Sequence, residues 1–520
     1  MTTLPGLRTP LINRRRLAIL TGLLLIGITL RLIGITASSL WFDEVFSRNV
    51  ATQTTLTSIV YDGVAGDVHP PLYFVLLDIW VALTGDNALS LRLLSALLAI
   101  LTLPAIYHLA RRLFGGRAAS VALLLTVLSP LQIYYAQEAR QYMLSVLCAA
   151  WIGVGLLGLT QRRRFGTVVY VVAAVAGLYT HYFIGLLLAA LHLWLILYSP
   201  ARREWRRWLL ADLLITIAFL PQVAIFLGQT QAVLDGFWIT PPNPAAPLVT
   251  LAFLLLGATL PLRIAYLAVA VIGSALAVGY LDMRRVASPV RAGWWLCLIA
   301  VLLPMLIALI VSFVRSPIYL DRSFTLLSPF LLLLLAAGIA YARRPSLAPV
   351  IGVLLIAIFI GTDAYSALTP DPAKPPYQQA VAQIMAQPDA LLAPVIHLHD
   401  SSYLPMTYYG PVLSQKLLNI GSTSWLFPKT WQIFGVQRWT DAQLLGWWQT
   451  YDGTARIVIA AQVSRHALEL FDQMRLSACQ VSDVAYPDSS APQLVIYTVT
   501  HGTCYAFDLQ RYRRALLPIP

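Results

Sequence analysis

Three short polar clusters stand out in a chain that is otherwise apolar. Asp43 and Glu44 follow Leu40-Trp41-Phe42, and Gly66-Asp67-Val68-His69-Pro70-Pro71-Leu72-Tyr73 sets a histidine before two prolines. Gln137-Glu138-Ala139-Arg140-Gln141-Tyr142 joins two apolar blocks. A carboxylate can accept the proton of a hydroxyl nucleophile. An arginine offers a planar fork to phosphate oxygens, and a protonated histidine can donate to the same group. Charged groups next to apolar runs are costly unless they have a role. Each cluster alone also has a plain structural explanation: a solvated turn for the acidic pair, a helix start at Pro70 or Pro71, an ion pair between Glu138 and Arg140. Weaker candidates are His181 and Tyr182 in the Thr180-His181-Tyr182-Phe183 break, and Tyr319, Asp321 and Arg322. His397, His399 and Asp400 have the look of a metal cluster, but a solvated loop explains them better. Tyr134 and Tyr135 read as aromatic anchors at a membrane interface.

The elements that must carry these residues are legible in composition. The chain has 520 residues, 58% hydrophobic and 11% charged, whereas soluble domains are about a quarter charged. The apolar residues form blocks of bilayer-spanning length, and in lipid such blocks must be helices. The formal net charge of +13 is almost all arginine, since there are only three lysines. The arginines lie in clusters between blocks: 14–16, 111, 112 and 117, 162–164, 202, 203, 206 and 207, 284 and 285, and 343 and 344. That is the signature of cytoplasmic loops and excludes a nucleic-acid patch. Of the four cysteines, Cys148 and Cys297 sit in apolar blocks as packing residues. Cys479 and Cys504 lie in the polar C-terminal region and could pair in an oxidising compartment.

The first block, about 17–36, reads as a retained anchor with a cytoplasmic start rather than a cleaved signal. Further crossings are expected near 90–109, 118–133, 143–159, either side of 180–183, 208–227, 264–281, 293–313, 324–341 and 348–363. About eleven crossings put every arginine cluster on one side. The expected fold is therefore a polytopic α-helical membrane domain over 1–364, with a first external loop at 37–87. A linker at 365–376 leads to a small extracytoplasmic α/β domain at 377–520. Within the first external loop, 72–83 is apolar but short and is expected at the interface. In the last domain, 377–387 reads as helix, and 391–398, 456–461 and 493–499 read as strands. The expected location is the plasma (inner) membrane.

The ordered run Leu40-Trp41-Phe42-Asp43-Glu44, His69-Pro70-Pro71-Leu72-Tyr73, Arg92-Leu93-Leu94-Ser95-Ala96, Arg111-Arg112-Leu113-Phe114-Gly115 and Gln137-Glu138-Ala139-Arg140-Gln141-Tyr142 resembles one family. It is similar to the bacterial relatives of protein O-mannosyltransferases and of lipid A aminoarabinose transferases. These are GT-C-fold glycosyltransferases of the dolichyl-phosphate-mannose-protein mannosyltransferase type. The resemblance covers roughly the first 200 residues and extends weakly to Thr180–Phe183 and Asp321-Arg322. It implies a polyprenyl-phosphate-linked sugar donor and an active site on the extracytoplasmic face. Asp43 matches the family's acidic residue of the first external loop, His69 a position held by histidine or lysine, and Arg140 an arginine of the second external loop.

Catalysis is then expected from Asp43 and Glu44, and donor-phosphate binding from His69, Arg140 and Arg322. Glu138, Tyr142, His181 and Tyr182 would position acceptor or sugar. A divalent cation bridging Asp43 and Glu138 is compatible with the residue types, although some relatives need none. Expected partners are the lipid-linked sugar, a protein, glycan or lipid acceptor, and membrane lipids, with no nucleic acid. Two other readings compete. A lipid-linked-sugar flippase would need polar residues lining a path across the bilayer, whereas the charges here gather at one side. A non-catalytic envelope-assembly protein leaves the ordered loop motifs unexplained.

Overall fold

The computed structural model describes residues 14–52, 55–63, 67–198, 202–235, 239–257, 287–342, 347–369, 374–418, 438–451, 453–460, 480–486 and 494–500, with isolated residues between. It divides into two compact units. The first holds 1–35, 68–85 and 89–368; the second holds 36–67, 86–88 and 369–520.

The first unit is a polytopic helical membrane fold. Among the described residues, six helices are long and apolar enough to cross a bilayer: Ala88–Val127, Tyr142–Thr160, Trp205–Leu234, Ser288–Val314, Asp321–Tyr341 and Pro349–Leu368. Shorter apolar helices cover Leu72–Thr84, Arg164–Leu178, Phe183–Leu197 and Ala246–Leu256. Arg14–Leu32 forms the N-terminal helix. The stretch Ala88–Val127 is two helices joined at Gly115, whose φ of +80° suits only glycine comfortably. The second of these stops at Val127 rather than near 133. Ser129-Pro130 breaks the chain there, and Pro130–Ala136 starts a short helix of its own. The crossing expected at 264–281 lies mostly outside the described residues.

Burial follows hydropathy. Tyr142–Thr160 and the start of Ser328–Tyr341 are apolar on every side and buried almost throughout, as helices at the centre of a bundle must be. Trp205–Asp235 instead exposes Leu209, Leu210, Leu213, Ile217 and Leu220 on a face suited to lipid.

The two ends of the bundle differ. At one end Arg16 Nη2 donates to Gly116 O (2.8 Å), Tyr341 OH donates to Phe114 O (2.8 Å), and Arg162 Nε donates to Glu204 (2.6 Å). These contacts tie Arg16 to the 111–117 loop and Arg162 to the loop that carries Glu204. At the far end of the N-terminal helix, about 28 Å away for its 19 residues, the carbonyls that follow it are hydrogen-bonded instead. Gln137 Nε2 donates to Ile33 O (2.8 Å) and Arg92 Nη1 to Ile35 O (2.8 Å). Arg31 returns the favour by donating to Thr126 O (3.0 Å) and Val127 O (3.4 Å), the orphan carbonyls at a helix end.

Small residues set the tightest helix contact. A Cβ on Gly155 would lie 2.4 Å from Tyr170 N, and one on Gly166 would lie 2.3 Å from the carbonyl carbon of Gly158. Backbones this close need glycine. We expect Gly155→Ala to destabilise the bundle by about 3 kcal/mol, the upper range for overpacking. Gly22→Ala, where nothing lies within 4 Å, should be neutral. Thermal melting followed by size-exclusion chromatography in detergent checks both.

The second unit contains a six-stranded sheet. Its strands are β1 (Val395–His397), β2 (Gln415–Leu418), β3 (Arg438–Trp439), β4 (Thr454–Ala460), β5 (Gln480–Tyr486) and β6 (Leu494–Thr500). The order is β3-β2-β1-β4-β6-β5, parallel from β3 to β4 and antiparallel through β6 and β5. The period-two alternation gives each face a core. Ile457 and Ile459 pack with Leu444 and Trp448 on one side; Val458 packs with Tyr377, Val381 and Met406 on the other. The helix Asp400–Tyr409 makes the crossover that parallel β1 and β2 require. The expected strand at 391–398 shortens to Val395–His397, while those near 456 and 493 appear within a residue or two. Phe42–Thr52, from the segment expected as the first external loop, is a helix of this unit and packs on Asp400–Tyr409.

Candidate functional site

The first unit brings together the motifs that are scattered in sequence. His69 precedes Pro70-Pro71, so its backbone cannot join the helix Leu72–Thr84. Arg140 lies in the turn before Tyr142–Thr160, with its N–H donating to Glu138 O (2.7 Å). Its Nη2 faces His69 Nδ1 at 3.5 Å. A guanidinium can only donate, so His69 accepts at Nδ1 and carries its own proton at Nε2. Ser95 Oγ donates to Arg140 O (3.3 Å) and lies 3.1 Å from Tyr73 OH. Three of the ordered motifs, His69–Tyr73, Arg92–Ala96 and Gln137–Tyr142, therefore meet through hydrogen bonds.

His181 joins the same group. Its ring stands edge-on to His69 with centroids 5.6 Å apart. Phe183 N–H donates to His181 Nδ1 (3.2 Å), which places the proton of the neutral ring at Nε2. Tyr182 reaches His69 indirectly: its hydroxyl donates to Gln229 Oε1, and Gln229 Nε2 donates to His69 O (3.3 Å). Gln222 Nε2 donates to Tyr182 OH (3.2 Å). Neither glutamine was singled out from sequence. Their signal is a seven-residue spacing, which puts two amides on one face of an apolar helix.

The other candidates lie around this core. Glu138 and Arg140 are buried, and both side-chain amide atoms of Gln141 are buried with no hydrogen-bond partner among the described residues. Tyr142 packs on Tyr135, with centroids 4.5 Å apart. Tyr135 is itself buried and also meets Phe253 (6.3 Å), so it is a packing residue and not an interfacial anchor. Arg322 is the second residue of the 3-10 segment Asp321–Leu327. In that segment Phe324 contacts Phe183 (5.3 Å), next to His181. Asp321 accepts from Thr250 Oγ1 (2.5 Å), which lies 2.8 Å from Tyr319 OH. Burial pushes the Tyr319 hydroxyl up to about 12, so it stays a donor.

Asp43 and Glu44 belong to the second unit. Both are buried in the first turn of Phe42–Thr52, where the helix dipole favours negative charge. They differ in what they touch. Glu44 Oε2 accepts Trp41 N–H (3.3 Å), closing the helix start as a third-position glutamate does. The Asp43 backbone carbonyl accepts from Ser47 Oγ (2.9 Å).

His397, His399 and Asp400 are buried at the end of β1, not solvated in a loop. His397 is held by Ser402 Oγ (3.1 Å) and Gln415 Oε1 (2.9 Å), and burial pushes its pKa down to about 3. His399 Nδ1 lies 3.0 Å from Asp400 Oδ1. Among the described residues no three His, Cys, Asp or Glu side chains converge in a metal-binding arrangement. Cys148 and Cys297 are buried and unpaired; Cys479 and Cys504 lie outside the described residues.

Residues 68–227, which include His69, Arg140, His181, Tyr182 and Gln222, match the family described as dolichyl-phosphate-mannose-protein mannosyltransferase. The chain superposes on ArnT from Cupriavidus metallidurans in the apo state. The TM-score is 0.61 at 13% identity, over 93% of this chain and 98% of that one. The chain has the GT-C glycosyltransferase fold. The same enzyme bound to undecaprenyl phosphate matches with a TM-score of 0.58 at 14% identity, covering 92% of this chain and 98% of the other. The archaeal oligosaccharyltransferase AglB from Archaeoglobus fulgidus, in complex with an inhibitory peptide and a dolichol-phosphate, matches with a TM-score of 0.51 at 11% identity. That match covers 91% of this chain and 74% of the other. No curated protein matches the sequence. Within the GT-C fold, the His69–Arg140–His181 group stands at the end of the membrane unit away from the arginine clusters.

Proposed function

We propose that the chain transfers a sugar from a polyprenyl-phosphate-linked donor to an acceptor hydroxyl on the extracytoplasmic side, with inversion at the anomeric carbon. The observation that carries this reading is the contact of the buried Arg140 with the partly buried His69, with His181 against it, at the end of an apolar bundle away from the arginine clusters. Such a group can take a lipid phosphate, because Arg140 supplies charge and both histidines carry Nε2–H donors. The solved ArnT bound to undecaprenyl phosphate and AglB with dolichol-phosphate share the fold, which makes a lipid phosphate the natural ligand class.

In this reading the acceptor oxygen bonds to the anomeric carbon as the bond from that carbon to the phosphate oxygen breaks. Arg140, with His69 and Arg322, stabilises the phosphate charge that develops. Asp43 accepts the hydroxyl proton. Glu138, Tyr142, His181 and Tyr182 position the sugar or the acceptor. Glu44 holds the helix that carries Asp43. The N-terminus is cytoplasmic, and the C-terminal unit is extracytoplasmic. Asp43 and Glu138 are hard oxygen donors that suit a divalent cation, which would add positive charge beside the phosphate.

The test is transfer in liposomes with radiolabelled hexosyl and pentosyl polyprenyl phosphates, alongside mass spectrometry of envelope glycans, lipids and glycoproteins with and without the protein. Loss of one sugar from one acceptor class, and release of free polyprenyl phosphate in vitro, are expected. Movement of the donor across the bilayer without hydrolysis of its phosphodiester would overturn the reading in favour of a flippase. The same assay after dialysis against EDTA decides the cation: an unchanged rate assigns the charge to Arg140 and His69 alone, and a rate restored by magnesium or manganese assigns a share to the metal.

A further inference from the structure

The helix that carries Asp43 is built into the C-terminal unit by a set of specific contacts. Leu40 N–H donates to Tyr409 OH (2.7 Å), one residue before the Trp41 start of the helix. Gln378 N–H donates to Ser39 Oγ (3.1 Å). Further along the helix, Arg48 Nε and Nη2 both donate to Asp86 Oδ2 (3.1 and 2.5 Å), and Arg48 Nη1 donates to Asn49 Oδ1 (3.1 Å). The guanidinium lies 5.7 Å from the ring centre of Tyr408, and Tyr408 OH donates to Asp86 O (2.9 Å). Tyr408 and Tyr409 close the helix Asp400–Tyr409, which is the β1–β2 crossover of the sheet. The Asp43 helix is thus pinned at its entry by Tyr409 and one turn past Asp43 by the Arg48–Asp86–Tyr408 group.

A surface ion pair alone is worth little, and Arg48 and Asp86 are partly exposed. Here the pair is fixed at three points: bifurcated donation, a cation–π contact and a carbonyl bond from the same tyrosine. Such over-determination is what holding a reacting carboxylate demands, since a misplacement of about 1 Å can cost a hundredfold in rate. Glu44 supports the same end by capping Trp41 N–H (3.3 Å).

We propose that the C-terminal unit is a positioning element of the transfer reaction, acting through the helix Phe42–Thr52, with Tyr409 and the Arg48–Asp86 pair as positioning residues; this rests on the assignment of Asp43 as the base. The unit is then part of the catalytic apparatus and not an appendage for recruiting partners. The test uses the full chain in liposomes. Tyr409→Phe and Asp86→Asn should each lower kcat about tenfold and leave the donor KM within twofold, with melting temperatures close to the parent's. The exchange Arg48→Asp with Asp86→Arg should recover most of the loss. In an Asp43→Asn background, Tyr409→Phe should lower the residual rate no further, because a residue that acts through Asp43 has nothing left to position. Parent-like kcat in Tyr409→Phe and Asp86→Asn, beside an inactive Asp43→Asn, overturns this proposal alone. Effects that multiply in the Asp43→Asn background overturn it in favour of a general structural role. A fully active Asp43→Asn overturns the base assignment, and the proposal with it.

Discussion

Replacing Arg140 by glutamine is expected to lower the transfer rate about 10²- to 10³-fold, the loss seen when one preorganised donor to developing negative charge is removed. Arg140 is buried, and its guanidinium is oriented by His69 Nδ1 at 3.5 Å. The charge is therefore held in place before any phosphate arrives, and little reorganisation is needed as the phosphodiester breaks. Glutamine keeps a donor toward His69 and removes the charge, so the loss should fall mainly on kcat. Arg140→Lys should retain an intermediate rate, since an ammonium keeps the charge without the planar fork that binds two phosphate oxygens together. Initial rates with a polyprenyl-phosphate sugar, and titration with free undecaprenyl phosphate, measure the two effects. A folded Arg140→Gln protein within threefold of the parent would remove Arg140 from the phosphate site.

Asp43→Asn is the second large effect. The substitution is isosteric and replaces a proton acceptor with an amide, so the expected loss is about 10²- to 10⁴-fold, the usual contribution of a positioned general base. Glu44→Gln gives the internal contrast. Its amide oxygen can still accept Trp41 N–H, the contact that Glu44 Oε2 makes at 3.3 Å, so the helix start survives and the rate should fall less than tenfold. Equal losses from the two variants would show that the pair acts as one electrostatic unit and that proton transfer is not assigned to Asp43. The double variant and the parent complete the comparison, because groups acting as one unit give strongly non-additive losses.

These expectations draw on information of two kinds. The helical blocks, the arginine clusters and the α/β character of the last 140 or so residues depend on consecutive residues only. Hydropathy over a window of bilayer length, charge at block ends and period-two alternation are local properties, and backbone hydrogen bonding in lipid leaves such blocks one conformation. The break at 180–183 and the strands near 456 and 493 were readable for the same reason. Glu44 as a helix cap was readable too, from a glutamate at the third helical position, but the apolar surroundings drew the pair toward a single chemical role.

What the sequence by itself determined, then, is the composition of the membrane unit, the clustering of its arginines between apolar blocks, and an ordered set of loop motifs that hold carboxylates, histidine and arginine. The tertiary structure alone decided which of these residues meet. His69 and Arg140 are 71 positions apart, and Gln229 reaches His69 across 160; contacts over such separations depend on how helices pack and leave no mark on neighbouring residues. It also decided that residues 36–67 fold with 369–520 rather than with the helices that flank them in sequence, and that His397, His399 and Asp400 are buried. The physical reason is the same in each case: a side chain's partners are chosen by shape and burial across the whole fold, while its type and spacing fix only what it could do once they are found.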